Sequence, residues 1–134
     1  MSVPKNKRKE SKLQVILFAR DLASYTIKIT KNENTFPPEY RWGVTNKIVE
    51  TATSIYMDCW TANNIYVHGD AEKKRERIFL QRRAVLNCNN LLALMQLAQE
   101  IFHLKTKRVE YWGRKTITAR ESIKKWSKSD MDRL

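Results

Sequence analysis

Side chains that can carry out acid–base or metal chemistry are few in this sequence, and their spacing keeps them apart. His68 and His103 have no metal-ligand spacing to each other, to the two cysteines or to an acid in an ExxH arrangement. Glu50 and Asp58 lie eight residues apart, so they do not suggest a carboxylate pair for general acid–base catalysis. No glycine-rich segment could hold a nucleotide phosphate. The sequence therefore predicts a protein that is not an enzyme and that uses neither a metal nor a cofactor.

Binding of a polyanion is the chemistry that the composition does favour. The 26 lysines and arginines outnumber the 14 aspartates and glutamates, which gives a formal net charge of +12. Most of the excess lies at the two ends of the chain, in residues 1–12 and 105–134. Sixteen cations in three clusters are predicted to contact nucleic acid: Lys5, Lys7, Arg8 and Lys9 near the N-terminus; Lys73, Lys74, Arg75, Arg77, Arg82 and Arg83; and Lys105, Lys107, Arg108, Arg114, Lys115 and Lys128.

The position of these cations along the predicted helices supports this interpretation. Cations in the first turns of a helix oppose the helix dipole, at a cost of ~0.3–1 kcal/mol each, so a helix selected for stability alone would carry acids there. The same arrangement attracts anions. A charged surface that is only solvated is the alternative for any single cluster, but three clusters, one of them in a basic N-terminal arm, favour nucleic acid.

A membrane surface is the competing polyanion. The first two predicted helices have no basic amphipathic face. No stretch approaches the ~18 consecutive apolar residues of a spanning helix, and Met1 is not followed by a signal-peptide pattern. We therefore expect a cytoplasmic protein that does not bind membranes.

Four segments with helical periodicity would position the cations. They cover residues 11–32, 38–64, 71–104 and 107–128, with Gly69 as a helix stop and with Asp70 and Thr106 as N-caps. Short connections place successive helices antiparallel, so the sequence predicts an all-α protein, an up-down-up-down antiparallel four-helix bundle. The bundle would occupy residues 11–128, between a basic N-terminal arm (1–10) and a C-terminal tail (129–134).

One apolar stripe on each segment predicts the core. On the third segment the stripe includes Asn87, which we expect to be a buried polar group that sets register or oligomeric state. Trp42 and Tyr111 fall outside the stripes and are expected to be exposed, where they could stack on bases. The four stripes are Val15, Phe18, Leu22, Tyr25 and Ile29; Val44, Ile48, Ala52, Ile55, Cys59 and Ala62; Leu80, Ala84, Asn87, Leu91, Leu94, Ala98 and Ile101; and Val109, Trp112, Thr116, Ala119, Ile123 and Trp126.

The start of the second segment resembles a known family. Residues 36–48 read Phe-Pro-Pro-Glu-Tyr-Arg-Trp-Gly-Val-Thr-Asn-Lys-Ile, and Ala52 and Ser54-Ile55 follow. This is similar to the signature of the four-helix bundle proteins encoded in intervening sequences of bacterial 23S ribosomal RNA genes: a Pro-containing entry, an aromatic-Gly-Leu-Thr turn, Gln-Ile and Ala-x-x-Ser-Ile. The sequence departs from that family at residues 58–62, where Asp-Cys-Trp-Thr-Ala stands in place of Asn-Ile-Ala-Glu-Gly.

Within the wider superfamily, the chain most resembles the accessory variability determinant of diversity-generating retroelements, which has a similar length, basicity and placing of the four helices. That resemblance implies a homo-oligomer, a pentameric ring of bundles. The ring would bind the template-repeat RNA and a partner reverse transcriptase, and would support mutagenic cDNA synthesis without catalysing it. The alternative is a protein–protein interaction hub of the intervening-sequence family, whose charge only keeps it soluble. The residues do not separate RNA from DNA.

Overall fold

The computed structural model describes residues 5–134, and it describes side chains from residue 12 onward. Within this range the chain forms four long helices and no β-strand: α1 (Lys5–Thr30), α2 (Asn46–Asn63), α3 (Ala71–Phe102) and α4 (Thr106–Arg133). Each helix packs against the next one along the chain, and α1 also packs against α4. The all-α prediction is confirmed, and the first helix begins at Lys5, inside the segment predicted as a basic arm.

The segment that leads into α2 differs from the single helix predicted from residue 38. A short 3₁₀ turn (Pro38–Tyr40) is followed by a π-helical turn (Arg41–Thr45), in which the Asn46 N–H donates to the Arg41 carbonyl five residues earlier. Phe36 is fully buried just before these turns, and its ring centroid lies 5.4 Å from that of Phe102. The buried ring fixes where the chain enters α2.

In the connection between α2 and α3, the predicted cap Asp70 is confirmed, whereas Gly69 does not stop α2, which ends at Asn63 with Asn64 as its C-cap. Gly69 has a φ of 80°, in the left-handed region that glycine adopts without steric cost. Asp70 caps α3, because its Oδ1 accepts hydrogen bonds from the backbone N–H groups of Glu72 at 2.9 Å and Lys73 at 3.2 Å. The predicted N-cap of α4 is wrong: Thr106 is already helical, and Lys105 precedes the helix without a side-chain cap.

The buried residues follow the predicted stripes on α2 completely and on α4 closely. On α3 the prediction for Asn87 is wrong. Asn87 is only partly buried, and its Oδ1 accepts a hydrogen bond from Asn90 Nδ2 at 3.3 Å. Cys88 is fully buried in its place, and Gln81 is the buried amide of this helix. Because α3 packs against both α2 and α4, its buried face is wider than one stripe, and periodicity alone misplaces the centre of that face.

The predicted C-terminal tail is also wrong. Helix α4 continues past Lys128 to Arg133, and Asp130 in this last part is fully buried. Asp130 Oδ1 accepts a hydrogen bond from Arg133 Nη2 at 3.1 Å, and Oδ2 accepts one from Gln81 Nε2 at 2.7 Å. The last turns of α4 are therefore held in the bundle by a buried carboxylate, which apolar periodicity does not reveal.

Candidate nucleic-acid interface

Two contacts join α3 to α4, and the first of them places the start of α3 beside the end of α4. Lys74 Nζ donates a hydrogen bond to the backbone carbonyl of Met131 at 3.2 Å. Near the middle of the same two helices, Arg120 Nη1 on α4 donates to Asn89 Oδ1 on α3 at 2.9 Å. The cations of early α3 therefore meet those of late α4, although about fifty residues separate them in the sequence.

A groove of about 450 Å³ lies between these parts of the two helices and is called the α3/α4 groove. Four cations and only one carboxylate line it. The Sδ of Met131 lies 3.6 Å from Arg82 Nη2, so the guanidinium is held against an apolar floor. The lining residues are Arg82, Val85, Glu121, Lys124, Lys125, Ser127, Lys128 and Met131.

The positive charge of the groove is largely uncompensated. Lys124 Nζ lies 3.8 Å from Glu121 Oε2, but both side chains are about half exposed, and such pairs contribute little. Among the side chains that the structure describes, Arg82, Lys125 and Lys128 have no carboxylate within 4.0 Å. Lys125 also lines a larger cleft of about 610 Å³ on the α1 side of α4, so it can reach ligands on either side of the helix. The groove can therefore neutralise several phosphates of one polyanion.

Three of the predicted cations are brought together here: Lys74, Arg82 and Lys128. Sequence reasoning missed Lys124 and Lys125 as site residues. The available signal was the spacing of Lys124 and Lys128, which are one helical turn apart and so project from one side of α4.

Arg77 was predicted to bind nucleic acid, and the structure corrects this. The residue is 4% exposed, and its Nε donates to Asp130 Oδ2 at 2.7 Å. Its Nη1 donates to the carbonyl of Ala62 in the last turn of α2, at 3.3 Å, and to that of Ile65 just after the helix, at 3.0 Å. Arg77 thus joins α2, α3 and α4 inside the bundle, and it has no access to a phosphate.

Arg83 has a partner as well. Its Nε and Nη2 donate to the two carboxylate oxygens of Asp58 at 2.9 Å and 2.8 Å. The hydrogen bonds and negative charge of Asp58 raise the pKa of Arg83. This pair lies on the α2 side of α3, away from the groove, and the carboxylate offsets the charge of the arginine.

The other predicted cations do not join the groove. Lys73 and Arg75 are exposed at the start of α3. Twenty residues separate Arg108 from Lys128 on α4, or ~30 Å at the helical rise, so the cluster at the start of α4 lies at the opposite end. There Lys115 Nζ lies 5.3 Å from the ring centroid of Tyr111. The cluster at the start of α4 consists of Lys105, Lys107, Arg108, Arg114 and Lys115. Lys5, Lys7, Arg8 and Lys9 lie outside the residues whose side chains are described.

Both cysteines are fully buried, and burial raises their thiol pKa values, that of Cys88 to about 12. We expect neither thiol of the native protein to react appreciably with a thiol reagent at neutral pH, whereas both should react in denaturant. Because the folded-state pKa of Cys88 is raised from 9.0, its contribution to the free energy of unfolding should decline as the pH rises from about 9 to about 12. Rapid labelling of the native protein would contradict this assignment.

No protein-family model matches the sequence, and no curated protein or solved structure shows significant similarity to this chain. Within the described part of the chain, every helix is too short or too polar to cross a membrane. The same residues contain no group of three or more His, Cys, Asp or Glu side chains placed to hold a metal ion.

Proposed function

We propose that this protein is a non-catalytic accessory protein that binds RNA through the α3/α4 groove. On the family resemblance, its protein partner is a reverse transcriptase, and its role in the cytoplasm is to support mutagenic cDNA synthesis in a diversity-generating retroelement. In this proposal the bundle has up-down-up-down topology, and the working form is a ring of five copies.

The observation that carries the proposal is the concentration of four cations in the α3/α4 groove, three of which have no carboxylate within 4.0 Å. A phosphate backbone is a regular array of negative charges, and a protein binds it by placing several cations within reach of successive phosphates. Arg82, Lys124, Lys125 and Lys128 meet this requirement on one surface, with Glu121 as the single acid of the lining.

Self-association is supported by a second surface. Phe79, Leu86 and Leu97 are exposed on α3, and Ala93 continues the same side of the helix. Their spacing of seven, seven and four residues is that of a coiled-coil seam, which needs a partner helix to be buried. In an oligomer each copy would contribute one groove, so a long RNA would contact several grooves at once and be bound more tightly.

The same apolar seam favours a second candidate function, that of a protein–protein interaction hub without a nucleic-acid role. In that case the seam would hold the partner, and the charge of the groove would only keep the protein soluble. The two functions differ in their response to ionic strength, because burial of an apolar seam is not weakened by salt.

The test is the affinity of the full chain for structured RNA, measured by filter binding over a range of salt concentrations. Four phosphate contacts would give log K against log salt a slope of about −3 on single-stranded segments, at ~0.7 per contact, and a steeper slope on a duplex, where the value for B-DNA is ~0.9 per contact. Parallel titrations with DNA of the same sequence will show whether RNA is preferred. Affinity that does not change with salt would refute the groove as a phosphate-binding site and would favour the hub.

A further inference from the structure

Trp42 is the most exposed large apolar side chain in the described part of the protein, at 89%. It lies in the π-helical turn before α2, and that turn is anchored on both sides. On one side the Tyr40 ring packs on Phe102, with centroids 5.4 Å apart. On the other side Val44 and Thr45 are buried. The indole is therefore exposed even though packed and buried neighbours hold its segment in place.

Local packing gives no reason for this indole to be outside. A π-helical turn is a rare conformation that is frequently found at functional sites. Arg41 Nη2 donates a hydrogen bond to the Thr30 carbonyl at the end of α1, at 3.2 Å, so a specific contact also holds the turn. The sequence thus maintains an uncommon backbone that keeps a large aromatic ring in water, which indicates a ligand for the ring.

The surroundings of the turn are basic. The contact with Thr30 places the turn beside the end of α1, where exposed Lys31 follows. The contact with Phe102 places it beside the end of α3, three residues before exposed Lys105. Lys47 is exposed in the first turn of α2. We call Trp42 with Lys31, Arg41, Lys47 and Lys105 the loop-end surface; the exposed acids Glu33 and Glu39 also lie in these connections.

An apolar protein partner would favour further apolar side chains around the tryptophan, as in the centre of a typical interface. The segments that meet at this turn carry Tyr40 as a further exposed aromatic side chain. Their exposed charged side chains are three lysines (Lys31, Lys47 and Lys105) and two glutamates (Glu33 and Glu39), with the partly buried Arg41 beside Trp42 in the chain. A flat aromatic ring among cations is the arrangement by which proteins hold single-stranded nucleic acid, because the ring stacks on a base while the cations neutralise the adjacent phosphates. In a duplex the bases are already stacked on each other and cannot use the ring.

We propose that Trp42 stacks on an unpaired base of a single-stranded nucleic acid and that the cations of the loop-end surface hold the flanking phosphates. This rests on the proposed function and deepens it, because it assigns unpaired nucleotides to one end of the bundle and backbone phosphates to the groove. The two surfaces lie near opposite ends of α4, ~30 Å apart at the helical rise. A strand that contacts both must span that distance.

The experiment compares the affinity of the full chain for an unstructured single-stranded RNA and for an RNA duplex of equal length whose two ends are closed by non-nucleotide linkers, so that no terminal base pair is open to the ring. Trp42→Ala should weaken binding of the single strand about tenfold and leave binding of the duplex unchanged, since one stacked base contributes roughly that factor. Trp42→Phe should retain much of the affinity. Trp60→Ala is the matched control, since Trp60 is another exposed tryptophan, 49% exposed, on the adjacent helix α2. The thermal midpoints of all variants should stay close to that of the native protein, because neither indole is buried.

Fluorescence provides an independent readout, because stacking on a base quenches an indole. Trp112 and Trp126 are buried, so ligand-induced quenching must come from the exposed Trp42 or Trp60; it should disappear in Trp42→Phe and persist in Trp60→Ala. Unchanged affinity of Trp42→Ala for the single strand, or an equal loss for the single strand and the duplex, overturns the inference. Loss of self-association with unchanged RNA binding also overturns it, in favour of a protein contact. The proposed function fails separately if reversal of groove charges leaves the affinity for both RNAs unchanged.

Discussion

Reversing the charge of Lys124 and Lys128 together is expected to weaken RNA binding on the order of 100-fold at low salt, since a pair of charges 4 Å apart at a protein surface contributes about 1–4 kcal/mol. Both side chains are exposed, so their substitution by glutamate should not unfold the helix. The slope of log K against log salt should become shallower by ~0.7 for each phosphate contact removed. Filter binding at several salt concentrations measures both effects.

The matched control reverses Arg20 and Lys28, two exposed cations on α1, which changes the net charge by the same amount. If RNA responded only to the overall charge of the protein, the two double variants would lose affinity equally. A groove-specific site predicts that the α1 variant retains most of its affinity. Equal losses would show that the groove is not the binding surface.

Replacement of Asp130 by alanine is expected to lower the free energy of unfolding by about 3–5 kcal/mol, the usual cost of removing one partner of a buried ion pair. Asp130 is 0% exposed, and its Oδ2 accepts hydrogen bonds from Arg77 Nε and Gln81 Nε2, each at 2.7 Å. Without the carboxylate, the Arg77 guanidinium would stay in the interior with no counter-ion. Urea unfolding followed by circular dichroism measures the loss.

Two comparisons separate the ion pair from the general sensitivity of the helix end. Asp132→Ala removes an exposed carboxylate two residues further on the same helix and should change the free energy of unfolding by less than about 0.5 kcal/mol. The double variant Arg77→Met with Asp130→Leu removes both charges and should recover most of the stability lost in Asp130→Ala. If Asp130→Ala were no more destabilising than Asp132→Ala, the buried network would not hold the end of α4.

The network around Asp130 also connects stability to the proposed function. Lys128 and Met131 flank Asp130 on α4, and Arg77 lies between Lys74 and Arg82 on α3. The buried pair therefore sets the relative position of the two helices where they form the α3/α4 groove. We expect Asp130→Ala to weaken RNA binding as well, even though Asp130 touches no ligand.

The local features of the fold were predictable from the sequence. The apolar stripe of α2 and the Asp70 cap depend on residues within a few positions of each other, so their spacing along the chain carries the information. Exposure of Trp42 and Tyr111 followed from the same periodicity and is confirmed. The predicted end of the last helix, at Lys128, is too early because the charged residue Asp130 breaks the apolar pattern where the helix continues.

The membership of the candidate site was decided by the tertiary structure. Arg77 and Arg82 appear in the sequence as members of one basic run, yet Arg77 is buried against a carboxylate 53 residues away and Arg82 lines the groove. Lys124 joins Arg82 only because α3 and α4 pack side by side. The net charge and the helical spacing of the apolar residues are properties of the chain, and the sequence by itself determined both. Which cations share a surface, and which are neutralised inside, depends on contacts between residues distant in the chain, and those form only when the helices pack.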